Sequence, residues 1–204
     1  MNYIKKDYYY KKAKNENFAA RSIYKLQEID QRFKTIKPDN QVLDLGSAPG
    51  SWAQYCSQKI GHRGKLLGID LEKVHLSFPN AVFIQGDLRE LVGEEFTNFE
   101  LLLKKESFLP NFDTVLSDMA PKTTGIKITD QARSLELCEL AFAIAVHFLK
   151  DGGHFVCKLF HSGEFDNFKN QLKKSFKQVE ILRPKSTRKE SKEIYFIALG
   201  RVTK

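Results

Sequence analysis

Between residues 41 and 160, short aliphatic and β-branched runs alternate with stretches of helical periodicity, and this alternation restricts the fold more than any other feature. The β-type runs lie at 42–45, 65–69, 82–85, 114–117 and 154–160, with two more at 179–182 and 194–199. Helical patterns cover 18–33, 51–60, 130–150 and 164–176. Thr129 or Asp130 is positioned to cap the long one, and Asp151-Gly152-Gly153 to stop it. Such alternation predicts an α/β fold, a mostly parallel seven-stranded sheet with helices on both faces. No helical pattern separates the last two runs, so they are expected to pair as a C-terminal antiparallel hairpin. At 204 residues the chain suits one domain, read as 18–204, preceded by a basic, tyrosine-rich arm at 1–17.

The first of these runs leads straight into DLGSAPGSW at 44–52, a glycine-bearing loop between a strand and a helix. Glycine there lets the backbone approach a ligand closely. The loop does not match GxGxxG, which argues against a dinucleotide-dependent oxidoreductase. Asp70 closes the second run, where an acidic residue grips ribose hydroxyls in Rossmann-type sites. Asp87 and Leu88 follow the third, with the carboxylate placed to accept from an adenine amino group, and Asp118 follows the fourth. A lone aspartate at any one position would be an ordinary loop or cap residue. Acidic or glycine chemistry at four strand ends on one edge points to a ligand, because open α/β sheets bind outside their carboxyl ends.

Charge narrows the partner. Lys and Arg number 33 against 25 Asp and Glu, a formal net charge of +8, which favours a polyanion. The excess is clustered: Lys5, Lys6, Lys11, Lys12, Lys14 and Arg21 near the start, and Lys185, Arg188, Lys189 and Lys192 late in the chain. Tyr8, Tyr9 and Tyr10 within the first cluster suit base stacking beside phosphate contact. The longest apolar stretch, 140–149, is about half the roughly 20 residues needed to cross a bilayer, and the N-terminus has no apolar signal region. Cys56, Cys138 and Cys157 show no CxxC pair and no histidine at ligand spacing, so they read as reduced core residues, not a metal site. A cytoplasmic location, no membrane contact and a monomer are expected.

Together, DLGSAPGSW at 44–52, SDMAP at 117–121, RSIYKLQEI at 21–29 and SKEIY at 191–195 resemble the FtsJ/RrmJ family of ribose 2′-O-methyltransferases, over nearly the whole chain. The resemblance implies a Rossmann-like methyltransferase fold, S-adenosyl-L-methionine as donor and a Lys-Asp-Lys-Glu catalytic tetrad. Carried onto this sequence, the tetrad falls on Lys25, Asp118, Lys158 and Glu193. The cofactor positions fall on Gly46, Ser47, Pro49, Gly50, Ser51, Trp52, Asp70, Asp87, Leu88 and Asp118. Ser47 stands where related sequences often carry alanine or cysteine.

Lys158 also makes a case unaided, since it interrupts the apolar run FVCKLF at 155–160. Burying an ammonium there is costly unless it is paired, and a functional or ion-paired lysine is the expectation. Lys158 is the candidate general base, Asp118 its orienting partner, and Lys25 and Glu193 the groups that position the ribose. Family members of this size imply a uridine of 23S ribosomal RNA, within the 50S particle, as substrate. Residues 7–14, DYYYKKAK, also resemble the tRNA anticodon-loop group, the alternative substrate class. A non-catalytic RNA-binding module on the same fold is the alternative from a different class, and the intact tetrad argues against it.

Overall fold

In the computed structural model, which describes residues 8–93, 95–161 and 165–203, all seven β-type runs join one sheet. They form β1 (Gln41–Leu45), β2 (Lys65–Asp70), β3 (Ala81–Gln85), β4 (Phe112–Ser117), β5 (Leu149–Phe160), β6 (Phe176–Leu182) and β7 (Glu193–Arg201). The spatial order is β3-β2-β1-β4-β5-β7-β6. The first five pair in parallel, and β7 runs antiparallel to both β5 and β6. The expected C-terminal hairpin therefore forms, with its second strand inserted between the first strand and the rest of the sheet.

Helices α1 (Tyr8–Asn15), α2 (Ile23–Phe33), α3 (Ser51–Ile60), α4 (Leu88–Val92), α5 (Thr97–Lys105), α6 (Lys127–Phe148) and α7 (Phe165–Ser175) surround it. The period-2 alternation of a strand sorts side chains onto the two faces. Leu43, Phe155, Cys157, Phe196 and Ala198 join the core under α4–α7 with Phe99, Ala141, Phe148 and Phe168. Val42, Val156, Tyr195 and Ile197 join the core under α2 and α3 with Ile29, Trp52 and Cys56. Asp44 shares its parity with Val42, and Lys158 with Val156, so both belong to the α2/α3 face. This is the face on which the two charged positions of otherwise apolar strands must be reconciled.

Local features differ from the sequence expectation, among them the end of the long helix at Phe148, with Asp151-Gly152-Gly153 lying within β5 and not acting as its stop. The first helix of the domain begins at Ile23, not Phe18, because 17–22 is taken up by turns. Residues 8–15 of the expected arm are helical, and α1 docks on α2 through buried Ala13 and a Tyr9–Tyr24 ring contact at 5.4 Å. Asp130 does not stand at the N-cap of the long helix, which begins at Lys127 after Ile126. From the first turn its carboxylate reaches back to accept from Thr124 N (2.7 Å), Thr124 Oγ1 (2.9 Å) and Gly125 N (3.2 Å). These bonds hold its pKa below the ordinary value and fix the loop entering α6.

Truncating the buried Phe148, whose ring stacks on Phe99 at 4.7 Å, tests the packing under α6. Phe148→Ala is expected to cost about 3–5 kcal/mol in urea unfolding. A loss below about 1 kcal/mol would contradict the assignment of this ring to the core.

Candidate active site

The chain leaves β1 for β2 and β3 on one side and returns through β4 to β5 on the other, so the strand order reverses between β1 and β4. That reversal opens a crevice beyond the two strand ends. Gly46 directly follows β1 and Asp118 directly follows β4, and both border a cavity of about 760 Å³. Gly46 has φ 79°, and a Cβ there would lie 2.7 Å from Met119 Cγ, so a side chain at this position would close the gap between the two loops.

Asp70, Asp87 and Leu88 line the same cavity. Asp70 already accepts from Ala48 N at 2.9 Å and Glu72 N at 2.8 Å, and Asp87 accepts from Arg89 N at 2.9 Å, capping α4. Each carboxylate thus shapes its loop and keeps further acceptor positions for a ligand. Of the other predicted cofactor residues, Ser47, Pro49, Gly50, Ser51 and Trp52 lie off the cavity wall. Ser51 Oγ and the Trp52 indole N–H bond to Ser22 Oγ (2.7 Å) and Ser22 O (2.9 Å), which docks α3 on the start of α2. Trp52 is 2 % exposed and packs on Tyr195, with ring centroids 5.8 Å apart.

The four residues expected to be catalytic assemble at the carboxyl end of β5 as two ion pairs. Lys158 Nζ lies 3.0 Å from Asp118 Oδ1 and donates to Asp118 O at 2.5 Å. Lys25 Nζ, brought in by α2, lies 2.5 Å from Glu193 Oε1 at the start of β7. Both lysines are nearly enclosed, Lys25 at 8 % and Lys158 at 7 % exposure. Pairing is what makes two ammonium groups tolerable there. Strand register places them: Lys158 faces Tyr195 across the β5–β7 ladder, and Phe160 faces Glu193.

Tyr195 is the residue that sequence reasoning passed over. Its hydroxyl donates to Asp118 Oδ1 at 2.7 Å, the same oxygen that pairs with Lys158, and the Lys25 ammonium lies 5.9 Å from its ring centroid. It therefore stands between the two pairs and touches both. Burial, with Asp118 and Glu193 close by, pushes the phenol pKa well above its ordinary value, so the hydroxyl stays a donor. The only clue in the sequence is its place two residues after Glu193, on the same face of the strand.

Asp44 lies in β1, two residues before Gly46. It is fully buried, and among the described residues neither carboxylate oxygen has a hydrogen-bond partner. Desolvation, reinforced by Asp118 and Asp70, pushes its pKa up to about 8, so it carries a proton at neutral pH. Among the described residues, no group of three or more His, Cys, Asp or Glu side chains gathers as metal ligands would.

Comparison with known proteins places this geometry. The model of the FtsJ-like methyltransferases matches residues 18–201. The chain belongs to that family. It is 56% identical to the ribosomal RNA large subunit methyltransferase E of Bdellovibrio bacteriovorus, covering 98% of this chain and 100% of the relative. The protein of the same name from Desulfatibacillum aliphaticivorans is 48% identical, over 94% and 89% of the two chains. Among solved structures, a Plasmodium falciparum protein assigned as a ribosomal RNA methyltransferase superposes with a TM-score of 0.81 at 29% identity, covering 92% of this chain and all of that one. Aeropyrum pernix fibrillarin, solved with natively bound S-adenosyl-L-methionine, shares the fold with a TM-score of 0.57 at 18% identity, over 87% and 76% of the chains. The Rossmann-like methyltransferase fold expected from the sequence is the fold of this FtsJ-like chain.

The cavity fits the donor that such an enzyme requires. Its volume lies within the roughly 300–1,000 Å³ usual for cofactor sites. Its wall carries Asp70, Glu72, Asp87, Asp118 and Glu136 beside Arg89, Lys122 and Arg133, an acceptor-bearing set with acidic excess that suits a ligand with ribose hydroxyls, an exocyclic amine and positive charge.

Two substitutions probe these arrangements. Tyr195→Phe removes one bond to Asp118 and is expected to lower kcat roughly five-fold, the equivalent of about 1 kcal/mol, with donor KM unchanged. Asp44→Asn tests the buried proton. Because the folded pKa of about 8 lies above the ordinary 3.8, the native state holds a proton the unfolded chain has lost between those values. Asp44 therefore subtracts stability as pH rises through that window, by up to about 1.4 kcal/mol per pH unit. The melting temperature of Asp44→Asn relative to the parent chain is expected to rise steadily from pH 5 to pH 8; a pH-independent difference would show that Asp44 folds ionised.

Proposed function

We propose that this chain transfers a methyl group from S-adenosyl-L-methionine to a ribose 2′-hydroxyl of large-subunit ribosomal RNA, a uridine in the reading that the family resemblance implies. The observation that carries the proposal is the buried double ion pair, Lys158–Asp118 and Lys25–Glu193, opening beside a cavity that Asp118 also lines. The relatives' shared name, spanning nearly the whole of both chains, supports a ribosomal substrate over a transfer RNA.

Gly46, Asp70, Asp87, Leu88 and Asp118 would hold the donor, whose sulfonium supplies an already activated methyl group. The work left to the protein is to align the hydroxyl and to take its proton. Lys158, after first releasing its own proton to solvent, accepts the hydroxyl proton at Nζ, and Asp118 holds the ammonium so restored. Lys25 and Glu193 orient the ribose, and Tyr195 keeps Asp118 from turning away. Among the described residues no helix is long and apolar enough to cross a membrane. We place the enzyme in the cytoplasm as a monomer acting on the 50S particle.

Labelled S-adenosyl-L-methionine offered with tRNA, free ribosomal RNA and 50S particles, followed by mapping of 2′-O-methylation, tests the substrate. Label on ribosomal RNA or the particle supports the proposal, and label on tRNA alone overturns it. Lys158→Ala is expected to lower turnover on the order of 10²–10⁴-fold with donor affinity retained. Near-parental turnover with intact donor binding would remove Lys158 from the role of base.

A further inference from the structure

The loop joining β6 to β7, residues 183–192, is strongly basic, and it is folded onto the domain. Arg183 Nη2 donates to the carbonyls of Arg188 (3.2 Å), Lys189 (3.1 Å) and Ser191 (2.8 Å). Glu28 of α2 accepts from Lys185 N at 2.8 Å, and Arg21 donates to Ser186 O. Between this loop and the start of α6 lies a second cleft of about 390 Å³, separate from the donor cavity. Lys127, Lys189, Lys192, His161 and Glu190 are among its walls.

A relay of bonds brings Lys127 and Lys192 to the same place. Gln131 lies one turn after Lys127 on the same side of α6 and donates to His161 O. The His161 N–H in turn donates to Lys192 O at 2.9 Å. The two ammonium groups sit close enough that Lys127 is the foremost cause drawing the Lys192 pKa below its ordinary value. Among the described residues, neither is ion-paired with a carboxylate. Two converging cations repel unless an anion lies between them. The chemistry that suits such a cleft is a tetrahedral oxyanion, one oxygen to each lysine.

Its location says which one. Lys192 directly precedes Glu193, and His161 directly follows Phe160, the cross-strand partner of Glu193. The cleft therefore continues the line from Lys158 through Glu193, at strand increments of about 3.3 Å per residue. A nucleic-acid strand with its ribose at Lys158 carries a phosphate on either side of that ribose. We propose that Lys127 and Lys192 form a subsite for the RNA backbone phosphate that flanks the methylated ribose. The assignment rests on the RNA reading above and adds to it where the strand leaves the active site.

The test uses the full chain, a fluorescein-labelled 12-nucleotide single-stranded RNA and fluorescence anisotropy at several KCl concentrations. In Lys127→Ala/Lys192→Ala the slope of log K against log[KCl] is expected to shrink by about 0.7, the value for one lost phosphate contact on a single strand. Lys127→Arg/Lys192→Arg is expected to restore it, and Lys104→Ala/Lys105→Ala, on the exposed surface of α5, to leave it unchanged. Thermal melting and donor binding, which neither lysine touches, check that each variant is folded. An unchanged slope in a folded alanine variant overturns the subsite while leaving the RNA reading intact. Failure of the parent chain to bind RNA overturns both. A parallel titration with inorganic phosphate separates the sources: loss of phosphate binding in the alanine variant without any change toward RNA would make the cleft a free-anion site and also overturn the proposal.

Discussion

Lys158 sits in a strand whose neighbours Val156, Cys157 and Leu159 are all buried, and it is itself almost enclosed. The charge has to be met where it is. Asp118, at the end of the neighbouring strand, meets it with both a carboxylate oxygen and its carbonyl. That commitment propagates. The same carboxylate oxygen accepts from Tyr195, Tyr195 packs on Trp52, and Trp52 ties α3 to α2 through Ser22. A single desolvated cation thereby sets the orientation of residues from three strands and two helices. Breaking such a pair costs more than the pair itself contributes, because it strands a buried charge.

In the proposed function the sheet topology divides the labour between two neighbouring strand junctions. At the β1/β4 reversal the strand ends supply carboxylates and a glycine gap, a setting for the donor. Two strands further on, the antiparallel β7 delivers Glu193 and Tyr195 against β5, a setting for the acceptor. Asp118 belongs to both because β4 lies between them. Lys127, Lys189 and Lys192 line the second cleft, whereas the larger cavity carries five carboxylates against three cations, a contrast that suits the proposed cationic donor and anionic strand.

Much of this layout is legible from residue types. The strands declare themselves because buried parallel strands read as continuous apolar runs, and Lys158 stands out against such a run. Helices α4 and α5 are less visible: α4 is only one turn long, and α5 has just four apolar residues, Phe99 and Leu101 to Leu103, before Lys104 and Lys105 end it. The docking of α1 rests on buried Ala13, the tilted Tyr9–Tyr24 ring contact and Lys12 over the Tyr24 ring, and its lysine- and tyrosine-rich sequence shows no apolar period. Tyr195 is hidden differently. An aromatic residue in a core strand is unremarkable until its hydroxyl is seen to land on Asp118. The meeting of Lys127 with Lys192 is set by a relay through Gln131 and His161, a long-range coincidence that no local spacing encodes. Trp52, which the resemblance sets among the cofactor positions, packs α2, α3 and β7 together through its side chain.

The Lys25–Glu193 pair joins residues 168 positions apart, across nearly the full span of the chain. During synthesis, α2 emerges early and must wait for β7, the strand that wedges between β5 and β6 after both have been made. Contacts of such long separation form late and slowly. Until that final insertion, Lys25 has no counter-charge in its pocket and Asp118 lacks its tyrosine. The Lys25–Glu193 pair and the Tyr195–Asp118 bond thus both wait on β7, and chains that stop short of that strand lack both.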